Sequence, residues 1–229
     1  MTAMRAEDAE FGRFTVLLGA LVIYMCALPF LSGTGFGLLA LRVGSSLLLL
    51  AAVYSVSKRR WQFVLAIALA IPAVGVQLFP PVIGEPGTLM VRLGMSAIVL
   101  FYIMVLISIF LLEQSRVSAD MVLGAVNIFL LLAIAFMFLH AFVEVVQPGS
   151  YLYQGDSLTA VLEGHPEAEA LAFLLYFSVV TLTTLGYGDI APALPAARML
   201  CSLEAVIGQL FVAIFVARMV AIHISHRDR

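Results

Sequence analysis

Charge is scarce in this sequence. Only 11% of its 229 residues are Asp, Glu, Lys or Arg, against about 25% in an ordinary soluble domain. That deficit excludes a water-solvated surface over most of the chain. The formal net charge of −2 removes the basic excess that nucleic-acid binding requires, so no nucleic-acid partner is expected. There are two cysteines, Cys26 and Cys201, and both sit in apolar runs. They read as small buried hydrophobes and exclude a disulfide framework. The four histidines are scattered without metal-ligand spacing, and the chain has neither a nucleophile–base constellation nor a glycine-rich phosphate loop. No enzyme chemistry and no cofactor are expected.

What fills the chain instead is apolar side chain: 63% of residues are hydrophobic and the mean hydropathy is +1.10. The class is an integral membrane protein in contact with membrane lipid. Six stretches approach the roughly 20 residues that a spanning helix needs: Phe14–Leu31, Phe36–Val56, Trp61–Phe79, Leu89–Leu112, Met121–Val146 and Ala196–Ile224. A seventh, Ala168–Thr183, is too short to span and reads as a re-entrant helix. Turn-forming segments lie at Ser32–Gly35 and Pro80–Gly87, and the longest polar interruption is Gln147–Glu169. The organisation expected is an N-terminal segment 1–13, a four-helix domain 14–112, a second domain 121–224 and a short tail 225–229.

The first stretch is preceded by Arg5 and Arg13 but also by Glu7, Asp8 and Glu10. That mixture is not the cationic region of a cleaved signal, so a retained helix is expected. Basic residues set the orientation. Arg5, Arg13, Lys58, Arg59, Arg60, Arg116, Arg227 and Arg229 all fall on one side if there are six spans, while Glu85, Asp156, Glu163, Glu167 and Glu169 fall on the other. Both termini are therefore expected in the cytoplasm.

Against this apolar background stands "TLTTLGYGDIAP", Thr181 to Pro192. Non-helical backbone at membrane depth is tolerated only where protein buries it or where it lines a water-filled path. Gly186 and Gly188 accept positive φ, which permits a strand whose carbonyls all point one way. A dehydrated cation needs oxygens on every side, so several such strands must surround one axis.

The motif resembles the signature of potassium channels, T-V-G-Y-G with a following aspartate, and the likeness extends upstream through "YFSVVTLTTLGYGD" (Tyr176 to Asp189). The layout is similar to that of voltage-gated channels. The resemblance implies an all-α membrane protein with six transmembrane helices, a re-entrant pore helix at 168–183, a filter at 184–188 and an inner helix at 196–224, assembled as a homotetramer around a central pore. It implies a potassium-selective channel with K+ bound in the filter. A weakly selective cation channel and a non-conducting modulatory subunit are the alternatives. Thr184, Leu185, Gly186 and Tyr187 would supply carbonyl rings, with the Thr184 hydroxyl innermost and Gly188 near the outer mouth. Leu185 stands where valine or isoleucine is commoner. Asp189 would brace the filter against the pore-helix aromatics Tyr176 and Phe177, of which only Tyr176 has a donor, and Thr183 supports the filter from below. Gly208 stands where the family often has a hinge; close packing against the pore helix is the other reading.

Gln209 is expected to face the cavity, continued at helical spacing by Val212, Val216 and Val220. Glu204 and Glu144 are ionisable residues within spans. Glu204 is read either as functional or as a brace for the pore helix, and the resemblance implies that Glu144 anchors the fifth helix to the sixth. His140 is expected to pack, and Arg42 and Arg92 to snorkel to the outer interface. Pro166 suits a first-turn position of the pore helix, with Glu167 and Glu169 near the positive end of its dipole. The fourth stretch has Arg92 near one end and Arg116 beyond the other, with nothing basic between. One charge moved through 100 mV yields only about 2.3 kcal/mol, so strong voltage sensing is not expected. The sequence as given runs to "HISHRDR", and no ligand-sensing domain is expected after the last helix. A bacterial inner membrane is the expected location.

Overall fold

The computed structural model describes residues 2–55, 60–78, 87–113 and 118–227. Lys58, Arg59, Glu85, Arg116 and Arg229, on which the expected orientation partly rests, lie outside the described residues. Among those described, the long elements are α1 (Thr2–Leu31), α2 (Gly37–Ser55), α3 (Arg60–Leu78), α4 (Gly87–Glu113), α5 (Ala119–Val146), α7 (Glu167–Leu182) and α8 (Pro195–Arg227). Five runs are long and apolar enough to cross a membrane: Phe14–Leu31, Arg60–Leu78, Gly87–Glu113, Met121–Val146 and Pro195–Ile222. The run in α2, Leu39–Ser55, is shorter.

The all-α expectation needs one amendment. The polar interruption after α5 folds as β1 (Tyr151–Tyr153), β2 (Asp156–Ser157) and the one-turn helix α6 (Leu158–Val161), and β3 (Ile190–Pro192) follows the Gly-Tyr-Gly motif. They form an antiparallel sheet in the order β2-β1-β3. The β1–β2 hairpin closes through Gln154 and Gly155, both at positive φ, as a two-residue connection between right-twisted strands requires. Tyr153 pairs with Ile190 across β1 and β3, and Gln154 N–H donates to the Asp189 carbonyl at 2.8 Å. The sheet therefore pins the chain where it leaves the motif.

α4 and α5 pack closely in the same chain. Leu100, Ile103 and Ile107 on α4 and Leu131 and Ile134 on α5 are all buried. Gly124 permits the approach: a Cβ there would lie 2.8 Å from Leu111 Cδ2. Ser118 caps α5 by accepting from Met121 N–H at 3.2 Å. Two polar contacts fix α4 to the second domain. Near its start, Arg92 is buried and pairs with Glu167, the first residue of α7. At its end, the Leu112 and Leu111 carbonyls accept from Arg218 Nη2 of α8 at 2.6 and 3.3 Å. A cation at a helix C-terminus is where the unpaired carbonyls favour one. Arg92 therefore does not snorkel outward as its position suggested; an acid reaches it inside the protein.

Candidate functional site

α7 runs Glu167–Leu182, with Pro166 at its N-cap rather than in its first turn. Glu167 pairs with Arg92, and Glu169 lies 2.9 Å from His165 Nδ1. The other end of α7 leads into the motif through a defined turn. Thr184 has φ +57; its N–H donates to the Thr181 carbonyl at 3.0 Å, and Leu185 N–H donates to the Val180 carbonyl at 2.9 Å. This is the paired pattern that ends helices on a left-handed residue, normally glycine. A β-branched residue in that conformation is an outlier, and it points to a demand on the threonine itself. Thr183 Oγ1 donates to the Val179 carbonyl at 2.7 Å and completes the cap.

Positive φ then recurs at every second residue: Thr184 at +57, Gly186 at +62 and Gly188 at +79, with neither Leu185 nor Tyr187 among the positive-φ residues. Residues 183–188 are exposed in the single chain. Tyr187 folds back so that its ring stacks on Tyr176, centroids 6.4 Å apart and planes 7° from parallel. Tyr176 Oη donates to Asp189 Oδ2 at 2.8 Å. One α7 tyrosine thus holds both the ring before Gly188 and the carboxylate after it. Phe177 lies away from Asp189, packed edge-on against His140 and Tyr151 at 5.1 and 5.4 Å.

α8 approaches the base of the motif at Gly208. A Cβ there would stand 2.7 Å from the Leu182 carbonyl oxygen, so only glycine allows the two helices this close. Gln209 Nε2 reaches Thr184 Oγ1 at 3.5 Å. Val212, Val216 and Val220 follow on the same exposed face. We expect Gly208→Ala to part α8 from α7 and to lower the melting temperature of the assembled protein as well as altering open probability. A variant with altered opening and unchanged stability would favour the hinge over close packing.

Behind α7 lies a polar chain that local spacing could not reveal. His140, Ser178 and Glu204 are fully buried, as is Tyr151. Tyr151 Oη is 2.6 Å from His140 Nδ1, and His140 Nε2 is 2.7 Å from Glu204 Oε2. Ser178 hydrogen-bonds Glu204 Oε1, and its hydroxyl reaches the Ala133 carbonyl at 2.7 Å. Burial raises the Tyr151 phenol pKa above its ordinary value. Both ring nitrogens of His140 are engaged, Nδ1 by the phenol and Nε2 by the carboxyl of Glu204. The chain ties β1, α5, α8 and α7 together. His140 was expected only to pack, and Ser178 and Tyr151 were not singled out at all. Glu144 serves elsewhere: it accepts from Gly149 and Tyr151 N–H at 3.0 and 3.1 Å and from Thr159. It thereby fixes the turn after α5.

Among the described residues no cluster of His, Cys, Asp or Glu could hold a metal ion. Residues 128–224, the segment containing the whole site, match the family described as "Ion channel". The chain is also 41% identical over 92 residues to "Two pore potassium channel c" of Oryza sativa subsp. japonica. That likeness covers 36% of this chain and 19% of the rice protein, so the chain spans about a fifth of its relative's length. No solved structure matches. This segment of the membrane protein is thus similar to ion channels, a potassium channel among them, and not to an enzyme.

Proposed function

We propose that the chain is one subunit of a homotetrameric, potassium-selective channel. The observation that carries the reading is the alternation of positive φ at Thr184, Gly186 and Gly188 at the end of a short apolar helix. Alternating handedness turns successive carbonyls to one side of a strand. Thr184, Leu185, Gly186, Tyr187 and Gly188 then contribute oxygens that replace the hydration shell of K+. The ion is cargo, and no cofactor takes part. α7 is re-entrant, with five long helices and α2 spanning the membrane around it and both termini in the cytoplasm.

Subunit number follows from the same geometry: one strand covers one side of an ion, and about four close a ring. α8 supports assembly. Only 6% of its spanning window is buried in the single chain, against 67% for α5. A long apolar helix packed so little on its own chain has surface for other copies as well as for lipid. Gating by voltage is weak, because Arg92 is the only basic residue in α4 and it is paired.

The test is a planar bilayer with potassium on one side and sodium on the other. Reversal near the potassium equilibrium potential is expected. A second reading, a weakly selective cation pore, draws on Phe177, which faces away from Asp189 and leaves Tyr176 as the brace; reversal near zero with clear current would favour it. Tyr176→Phe removes that donor while keeping the ring stacked on Tyr187. We expect it to keep current but to lower the potassium-to-sodium permeability ratio, by about tenfold if the charge-assisted bond is worth about 1.5 kcal/mol. An unchanged ratio would mean that the β1–β3 sheet holds the filter unaided.

A further inference from the structure

The geometry points to a binding site for an anionic glycerophospholipid between α1 and α2, with its phosphate at Arg42 and one acyl chain in the groove beside it. The site does not depend on ion selectivity, only on insertion in a membrane.

A groove of about 280 Å³ runs between the two helices, lined by Tyr24, Ala27 and Leu28 from α1 and by Ala40, Leu41 and Gly44 from α2. Its α1 lining extends from Ala20 to Leu31, about 17 Å at roughly 1.5 Å per residue. One leaflet of a hydrocarbon core about 30 Å thick is about 15 Å deep. The groove therefore matches the depth of a single acyl chain. Gly44 leaves room for the aromatic wall: a Cβ there would press on the Tyr24 ring at 3.2 Å.

Leu41 also borders a small polar cavity that contains Arg42, Ser45, Gln77, Arg92 and Glu167. Almost everything polar there is matched. Ser45 and Ser46 donate to Gln77 Oε1 at 2.6 and 3.0 Å, Gln77 Nε2 donates to Ser96 at 3.0 Å, and Arg92 takes Glu167. Two buried groups are left over, Tyr24 Oη and Arg42 Nε, neither with a hydrogen-bond partner. Tyr24 itself is 6% exposed and lines the groove. Both can donate, and unpaired donors at such depth are costly. What would satisfy them is a group rich in acceptors, without donors of its own and negatively charged. A phosphodiester and the ester carbonyls below it have that character, and they arrive already joined to a chain that fits the groove. The single acid nearby is taken by Arg92, so the Arg42 charge is left to the headgroup. A headgroup without its own cation suits it best.

The site is tested by native mass spectrometry of the assembled, detergent-solubilised protein after exposure to equal amounts of phosphatidylglycerol and phosphatidylcholine with matched chains. One retained lipid per chain is expected, with phosphatidylglycerol favoured about tenfold, the factor that a charge-assisted bond of about 1.5 kcal/mol provides. Arg42→Gln should bring the two lipids to near parity. Ala40→Leu, which fills the groove without touching the arginine, should reduce retention of both about tenfold. Size-exclusion profiles equal to wild type establish that each variant is assembled. Equal retention of the two lipids by the wild type, an undiminished preference in Arg42→Gln, or undiminished retention in Ala40→Leu would each overturn the assignment.

Discussion

Gly186→Ala is expected to abolish potassium flux while leaving the protein folded. Gly186 has φ +62, and a Cβ added there would meet nothing within 4 Å in its own chain. The obstacle is therefore conformational. An L-residue in the left-handed region costs about 1–2 kcal/mol, and in a ring of four the cost is paid about four times over. The strand relieves it by turning the peptide to negative φ, which breaks the alternation from Thr184 to Gly188 and rotates a carbonyl out of line. Rubidium uptake into vesicles reads the loss, and an unchanged melting temperature shows that the fold survives. D-alanine at the same position, introduced by semisynthesis, favours positive φ and should restore uptake. Full uptake with L-alanine would mean that the alternation at 184, 186 and 188 is not what the pore requires.

The second large effect is expected at Glu204. Glu204→Leu leaves His140 Nε2 facing an apolar side chain at a fully buried position, while Ser178 keeps the Ala133 carbonyl. Hydrogen bonds between helices within membranes average about 0.6 kcal/mol. A buried polar group left without its partner costs about 1–3 kcal/mol. His140 is left in that state, so a loss of about 2 kcal/mol is expected in reversible unfolding. Glu204→Gln keeps an acceptor for His140 and adds a donor that Ser178 can accept, and it should recover most of the loss. Replacement of Tyr151 by Phe and of His140, Ser178 and Glu204 by apolar residues, all four together, should also recover much of it, because no orphan then remains. A loss below about 1 kcal/mol in Glu204→Leu would reduce the chain to ordinary interhelical contacts.

Parts of this architecture were legible in the sequence because their signals are local. Apolar runs of spanning length announce helices without any knowledge of their neighbours, and the boundaries expected for α4, α5 and α8 lie within a few residues of those observed. Gly-Tyr-Gly declared an unusual backbone, since only glycine accepts positive φ freely. The left-handed Thr184 was not legible, because threonine alone argues against that conformation and only the helix-ending hydrogen bonds require it. The sheet escaped because strands of two or three residues carry no periodicity. The pairs that organise the interior are distant in sequence: His140 finds Glu204, and Arg92 finds Glu167. His140 and Glu144 stand four apart on α5, yet the carboxylate caps a turn and the imidazole enters the core.

The two tethers of α4 bear on the kinematics of the molecule. A helix held at one end can slide along its axis or swing about the point of attachment. α4 is held at both: Arg92 joins it to the start of α7, and the Leu111 and Leu112 carbonyls join its end to Arg218 on α8. With both ends fixed, the piston and the pendulum are removed together. The displacement that remains is rigid travel with α7 and α8, so a shift of the four-helix block within the bilayer is at once a shift of the walls of the proposed conduction path.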